Sequence, residues 1–283
     1  MLLRETGASV EVLVIRRHEQ LAFMGGLWVF PGGTVSPADT SSECLARIPR
    51  RSQARCSQFA DLHGTSLDPR QCLGLTVAAV RETFEESGVL LATTSSGRQC
   101  STEVVARLQE QRRAINARPE LFAQMLSAES LVLEIDRLVY WAHWITPSIV
   151  ARRFDTRFFV AAVPDGQQAA IDSTETVDHA WMSPAALIEA ADSGTMPVSQ
   201  PTLFNLMELR ASLREHGSLN DLIAGEAQRR VVPVLPKMIQ EGPLTMVLPW
   251  DPFYRNVVGE SVPEDLEYPA RLRELPSRMV QKR

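Results

Sequence analysis

Residues 77–91 read VAAVRETFEESGVLL, and the placing of apolar and acidic residues in this stretch governs how the rest of the chain is read. At about 100° per residue, a helix sets Val77, Val80 and Phe84 on one side and Glu82, Glu85 and Glu86 on nearly the opposite side. The spacing predicts a helix over 76–87, closed by Gly88, because glycine enters the left-handed conformation that ends helices. Like charges at these spacings repel, by roughly a few tenths of a kcal/mol per pair. A hard divalent cation with oxygen ligands reverses that penalty, so the acidic face is a candidate site for Mg²⁺ or Mn²⁺. A solvated acidic face is the plain alternative.

Upstream, Val12 to Ile15 reads as a buried strand. Residues 25–33, GGLWVFPGG, read as a second strand entering a glycine-rich loop. From Thr34 to about Gly74 the composition is polar and Pro37, Pro49 and Pro69 interrupt it, so about 40–75 is expected to be an insertion. Downstream, Ser101 caps a predicted helix running to about Ile115. Pro119 opens another that carries Leu121, Phe122 and Met125, and together they form a helical insertion over about 100–135. Strands are predicted at Leu138–Ile145, Phe158–Val163 and His179–Met182. Ser183 and Pro184 start a helix. From Pro197 a mostly helical tail follows, with Leu203, Leu206, Leu209 and Leu213 at helical spacing, ending in a strand near Leu244–Leu248. The pattern is an α/β chain with a mixed sheet, divided as a catalytic domain over 1–195 and an extension over 196–283 packed on the same domain.

With 283 residues, 45% hydrophobic and 22% charged, the chain has the material for a sizeable core. The net charge of −5 argues against a general nucleic-acid binder. An anionic substrate must then be met by metal ions or a local group of arginines. Arg16, Arg17, Arg152, Arg153 and Arg157 are grouped near predicted strands, and the guanidinium fork suits phosphate; solvated strand-end charges are the alternative. Cys44, Cys56, Cys72 and Cys100 lack the short spacings of zinc sites or a disulfide framework. No apolar run is long enough to span a membrane, the N-terminal charges break any signal-peptide core, and the ending MVQKR is not a peroxisomal address. A cytoplasmic location is expected. The histidines fall in no recognisable nucleophile motif.

The glycine loop and RETFEESG together resemble the Nudix box: a glycine, five residues, Glu, seven residues, then RE, an apolar residue, any residue, EE, any residue, G and an apolar residue. Gly33 matches the first glycine, Arg81 and Glu82 the RE pair, Glu85 and Glu86 the EE pair, and Gly88 and Val89 the ending. Thr83 and Asp39 stand where a larger apolar residue and the first Glu are usual, and the stretch from Asp39 to Arg81 far exceeds seven residues. A box interrupted in this way is similar to the Nudix branch typified by a mammalian peroxisomal acyl-CoA diphosphatase. FMGGLWVFPGG, WITPSIVARRFDTRFF and WMSP resemble that branch too, so the likeness spans about 12–205.

The resemblance implies a Nudix fold, an α/β/α sandwich around a mixed sheet, and a diphosphate hydrolase. It implicates Glu82, Glu85 and Glu86, with a backbone carbonyl of Gly32 or Gly33, in holding the cations. Arg81 is implied to orient the carboxylates with Asp39 as its partner, and Glu175 or Glu82 is implied as the general base. The favoured substrate is a small nucleoside diphosphate, CoA or acyl-CoA, bound by Arg16, Arg17, Arg152 and Arg153. A homodimer is left open. ADP-ribose or NADH hydrolysis, and a Nudix-fold binding protein without turnover, are the competing readings.

Overall fold

Side chains that are β-branched and apolar fit a pleated, covered surface, and the run from Val10 to Ile15 builds the longest strand among the described residues, around which the others gather. The computed structural model describes residues 1–7, 9–21, 24–170, 176–240 and 243–280, and for 54–57 and 176 the backbone alone. The strands are β1 (Leu2–Thr6), β2 (Ser9–Arg17), β3 (Trp28–Val29), β4 (Ala92–Thr94), β5 (Leu131–Leu133), β6 (Val139–Ile145), β7 (Asp155–Ala162), β8 (Thr176–Met182), β9 (Pro233–Val234), β10 (Lys237–Ile239), β11 (Thr245–Val247) and β12 (Arg278–Val280). The α-helices are α1 (Ser42–Leu45), α2 (Pro69–Ser87), α3 (Thr102–Gln109), α4 (Arg112–Ala117), α5 (Glu120–Ala128), α6 (Pro184–Asp192), α7 (Gln200–His216), α8 (Leu219–Glu226) and α9 (Ala270–Arg273).

The central sheet is mixed and runs β3-β2-β1-β7-β6-β9, with β8 also paired to β2. Val12 pairs with both Leu3 and Met182, and Ile15 with both Val29 and His179. Strands β1 and β3 therefore follow one another along one edge of β2, and β8 occupies the other. The pairs β1·β7 and β6·β9 are parallel. Every residue of β6 is buried, as expected of a strand covered on both faces.

Helices cover each face. Leu2, Leu13, Tyr140 and Phe159 meet Val77, Val80 and Phe84 of α2, with Leu108, Ile115 and Phe122 of the helical insertion behind them. On the other face Leu3, Val12, Val14, Trp141 and Val160 meet Leu187, Leu209 and Leu222, and the tail adds Val247, Leu248 and Tyr254 to the same cluster. Fully burying a side chain of this kind stabilises by about 1.5–3 kcal/mol. Two tyrosine hydroxyls tie the tail to β9 and its flank: Tyr254 donates to Leu235 O at 2.7 Å and Tyr268 to Pro233 O at 2.6 Å. The mixed sheet and sandwich expected from sequence are present. Among the described residues no helix is long and apolar enough to cross a membrane.

Several boundaries differ from the expectation, each for a local reason. Helix α2 begins at Pro69 rather than Thr76, because Asp68 caps it by accepting from the backbone of Arg70 and Gln71. The predicted helix from Ser101 to Ile115 divides into α3 and α4, where Gln109 donates to Gly88 O and Arg112 to Glu85 O. Strand β7 begins at Asp155 rather than Phe158, since Asp155 and Arg157 pair with Ile145 and His143 across β6. Strand β1 was not predicted; it enters β2 through a two-residue connection in which Gly7 has φ 59°.

Candidate active site

Helix α2 ends where the sheet-borne glycine loop arrives. Trp28 and Phe30 are anchored in the apolar core, which fixes Pro31, Gly32 and Gly33 against the acidic face of α2. The backbone N–H of Gly32 donates to Glu86 Oε2 at 2.6 Å. A Cβ added at Gly33 would lie 2.4 Å from Glu82 Oε2, so any larger residue there requires that carboxylate to shift. At the other end of the acidic face Gly88 closes the helix with φ 73°, its N–H donating to Phe84 O.

Arg81 is the hub of the cluster. Its Nε donates to Asp39 Oδ1 at 2.7 Å and its Nη2 to Asp39 Oδ2 at 2.9 Å, a bidentate pair. Nη1 donates at 2.9 Å to both Glu82 Oε1 and Glu85 Oε1, and Nη2 also donates to Thr34 O. Asp39 and Arg81 are 1% and 2% exposed. Burial opposes the charge on Arg81, but Asp39 and Glu82 outweigh it and hold the guanidinium pKa above its usual value.

The side chain of Asp39 is one methylene shorter than the glutamate of the usual box, and the fold makes up the difference. Asp39 lies in a 3-10 turn, Pro37–Thr40, capped by Ser36 and closed by the Ser36 N–H donating back to Asp39 Oδ2. That turn sits tight on α2: a Cβ at Gly74 would lie 2.4 Å from Thr40 Cγ2. Gly74, a costly residue inside a helix, is what permits the approach.

Glu85 faces inward to Arg81 and is 5% exposed. Burial pushes its pKa up to about 7, against the lowering pull of Arg81. Among the described residues no group of three or more His, Cys, Asp or Glu side chains is arranged to hold a metal ion by itself. The oxygen donors nonetheless suit a hard divalent cation, which is commonly bound by one or two carboxylates and completes its shell with water and substrate phosphates. Glu82 and Glu86 against the Gly32–Gly33 backbone, with Glu85 behind them, form that kind of open set.

The other predicted residues are distributed differently. Alternation along β2 sets Arg17 on the face shared with Leu13 and α2 and Arg16 on the opposite face. Arg17 Nε is buried without a hydrogen-bond partner. Arg16 donates to Glu19 Oε1 at 2.8 Å. Arg152 and Arg153 are exposed on the loop between β6 and β7; Arg152 lies over Phe154, and Arg153 donates to Thr146 O and Glu260 Oε2. Glu175 lies outside the described residues. Arg157 is 5% exposed at the side chain, bound to Asp155 and to Ala60 O of the box insertion.

A second arginine was not anticipated. The 5%-exposed Arg112 donates through Nε and Nη2 to Glu85 O, at 2.8 and 2.6 Å, and through Nη1 to Ala170 O. From the start of α4 it reaches the last turn of α2, where a cation satisfies orphan carbonyls and the helix dipole. The side chain of Gln167 exchanges hydrogen bonds with both backbone groups of Leu90, and Ala170 N donates to Ser87 O. Gln167 and Ala170 are thus anchored at the C-terminal end of α2. Nothing local in the sequence marks Arg112 or Gln167, since each acts on backbone groups remote along the chain.

A glycine loop docked on the carboxylates of a helix, in a sandwich of this topology, defines the Nudix class. The chain belongs to the family described as the NUDT19 Nudix domain, whose profile matches residues 4–209. It is similar to acyl-coenzyme A diphosphatase NUDT19 of Gallus gallus, 31% identical over 91% of this chain and 74% of that protein. The Xenopus laevis protein of that name is 28% identical over 71% of this chain and 60% of that protein. The human one is 26% identical over 86% and 72%. The chain therefore spans about three fifths to three quarters of the length of these relatives. The crystal structure of a NUDIX hydrolase from Alicyclobacillus acidocaldarius, 24% identical, covers 75% of this chain and 89% of its own with a TM-score of 0.55, and shows the fold.

Proposed function

We propose that the protein hydrolyses the diphosphate of CoA or an acyl-CoA, giving 3′,5′-ADP and 4′-phosphopantetheine or its acylated form. The observation that carries the reading is the seating of the Gly32–Gly33 backbone on Glu86 and Glu82, together with relatives named for acyl-CoA diphosphatase activity. Glu82, Glu85, Glu86 and the Gly33 carbonyl are the groups that would hold Mg²⁺ or Mn²⁺. Such an ion, when bound, neutralises charge on the phosphoryl oxygens and lowers the pKa of a bound water.

The chain's own residues supply the rest. Arg81 and Asp39 fix the carboxylates at their working positions and offset their repulsion. Glu175 is the proposed general base, taking the proton of the attacking water as that oxygen bonds to phosphorus; Glu82 is the alternative base. The P–O bond of the diphosphate bridge breaks, and its electron pair leaves on the departing phosphate oxygen. Arg17 is the proposed contact of the diphosphate from β2, and Arg152 or Arg153 that of the ribose 3′-phosphate. The buried free thiols of Cys44, Cys72 and Cys100 favour a reducing compartment such as the cytoplasm.

A panel of CoA, acyl-CoA, ADP-ribose and NADH, each with Mg²⁺ or Mn²⁺, tests the assignment. The highest kcat/KM should fall on CoA or an acyl-CoA. A higher value for ADP-ribose or NADH replaces the substrate, and no turnover of any of them points to a binding protein.

A further inference from the structure

Trp141 of β6 is 1% exposed, yet its indole Nε1 has no hydrogen-bond partner among the described residues. The guanidinium carbon of Arg229, in the segment between α8 and β9, lies 3.7 Å over the same ring. The Arg229 side chain is 3% exposed, and its Nε is likewise unpartnered. Buried donors are nearly always paired, so two orphans on stacked groups call for an acceptor. Both residues line one cavity, together with Phe204, Glu208, Val232 and Arg271. Its volume of about 10 Å³ admits a single particle of the size of a water or a monatomic ion. Phosphate, carboxylates and organic ligands are excluded by size.

The polar lining is rich in donors. Trp141, Arg229 and Arg271 can only donate. Among the described side chains that line the cavity, Glu208 alone can accept, and its Oε1 already takes Arg229 Nη2 and, at 3.2 Å, Arg271 Nε. Arg229 Nη1 lies 3.4 Å from Glu226 Oε2 without forming a hydrogen bond. Burial outweighs the raising pull of Glu208 and Glu226 and holds the Arg229 pKa below its usual value, so its charge is incompletely offset. A water here accepts from two donors but must then place two protons of its own, for which the lining side chains offer Glu208 alone. A monatomic anion accepts from every donor and has no proton to place.

We infer that this cavity is a halide site, which takes chloride on Trp141 Nε1 and Arg229 Nε. Trp141 belongs to the central sheet, whereas Arg229 and Arg271 belong to the C-terminal extension. A bound ion therefore fastens the extension to the sheet. Because the folded chain holds the ion and the unfolded chain does not, stability is linked to the chloride concentration.

Crystals of the wild-type protein soaked in bromide, measured at the bromine absorption edge, read the site directly. An anomalous peak is expected in the cavity, in contact with Trp141 Nε1 and Arg229 Nε. In solution, melting curves are recorded at constant ionic strength while gluconate, too large for the cavity, is replaced by chloride. The melting temperature should rise by at least about 2 °C at about 0.2 M chloride. Trp141→Phe keeps the ring on which Arg229 stacks and removes one donor. Arg271→Gln removes a charge from a side chain that is partly exposed. Each should lose at least half of that rise, whereas Arg98→Gln, exposed and outside the cavity, should keep it. Three results overturn the inference. Absence of an anomalous signal in the cavity makes water its occupant, a bromide peak without a chloride-dependent rise is binding at crystal concentration only, and an equal rise in Trp141→Phe and Arg271→Gln is a general salt effect.

Discussion

Replacing Asp39 by alanine removes both hydrogen bonds that clamp Arg81 from the insertion side, 2.7 and 2.9 Å long, and leaves a guanidinium buried. Breaking a buried ion pair by deleting one partner typically costs about 3–5 kcal/mol. Glu82 and Glu85 still hold Nη1 at 2.9 Å, which places Asp39→Ala near about 3 kcal/mol, the lower end of that range. Asp39→Glu restores the residue of the ordinary Nudix box, yet it adds a methylene at a position 1% exposed, beside Thr40 packed on Gly74. Overpacking of that kind costs about 1–3 kcal/mol. Urea unfolding of the three proteins in EDTA, followed by circular dichroism, gives the comparison directly. An Asp39→Ala variant within about 1 kcal/mol of wild type, or an Asp39→Glu variant more stable than wild type, would refute the claim that the turn and Gly74 compensate for the shorter side chain.

Further outcomes follow from the same geometry. Glu85 is held near pH 7 by burial, so in the fold it binds its proton more tightly than in the unfolded chain, where a glutamate titrates near about 4.5. Its contribution, on the order of 3 kcal/mol, is full below about pH 4.5 and lost as the pH rises through about 7. Denaturant titrations of the metal-free protein should show that slope, and Glu85→Gln should flatten it; an unchanged slope contradicts the placement. Gly33→Ala drives a Cβ into the Glu82 carboxylate and should lower kcat/KM by roughly 10²-fold or more, with near-wild-type activity locating the chemistry elsewhere. Arg112→Met leaves Glu85 O and Ala170 O without their buried donor, at about 2–4 kcal/mol. Hydrogen exchange should then speed up at the C-terminal turn of α2, and unaltered protection there counts against the clamp.

How much of this was legible in the sequence depended on the range over which each feature is encoded. The acidic face, its closing glycine and the glycine loop are local patterns, and they led to the sandwich and to the cluster around Glu82, Glu85 and Glu86. The interruption between Asp39 and Arg81 was visible, but not that a capped 3-10 turn and Gly74 would return Asp39 to Arg81 across it. Helix α2 was read too short because Gly74 and the proline at Pro69 signal breaks, and the Asp68 cap and tertiary packing override them. Short strands such as β1, β9 and β12 carry too few residues for a period to show. Arg112 and Gln167 look like surface residues because their partners are backbone groups, which have no sequence signature.

The central claim is that the Glu86 carboxylate, seated on the Gly32 N–H, belongs to a divalent-cation site that cleaves the CoA diphosphate. Mass spectrometry of the products formed from dodecanoyl-CoA with Mg²⁺ or Mn²⁺, by wild type and by Glu86→Gln, tests it most directly. The account predicts 3′,5′-ADP and acyl-4′-phosphopantetheine from wild type, no product in excess EDTA, and a rate lowered by roughly 10²-fold or more in a folded Glu86→Gln variant. Undiminished cleavage in chelator, or wild-type rates from Glu86→Gln, would contradict it.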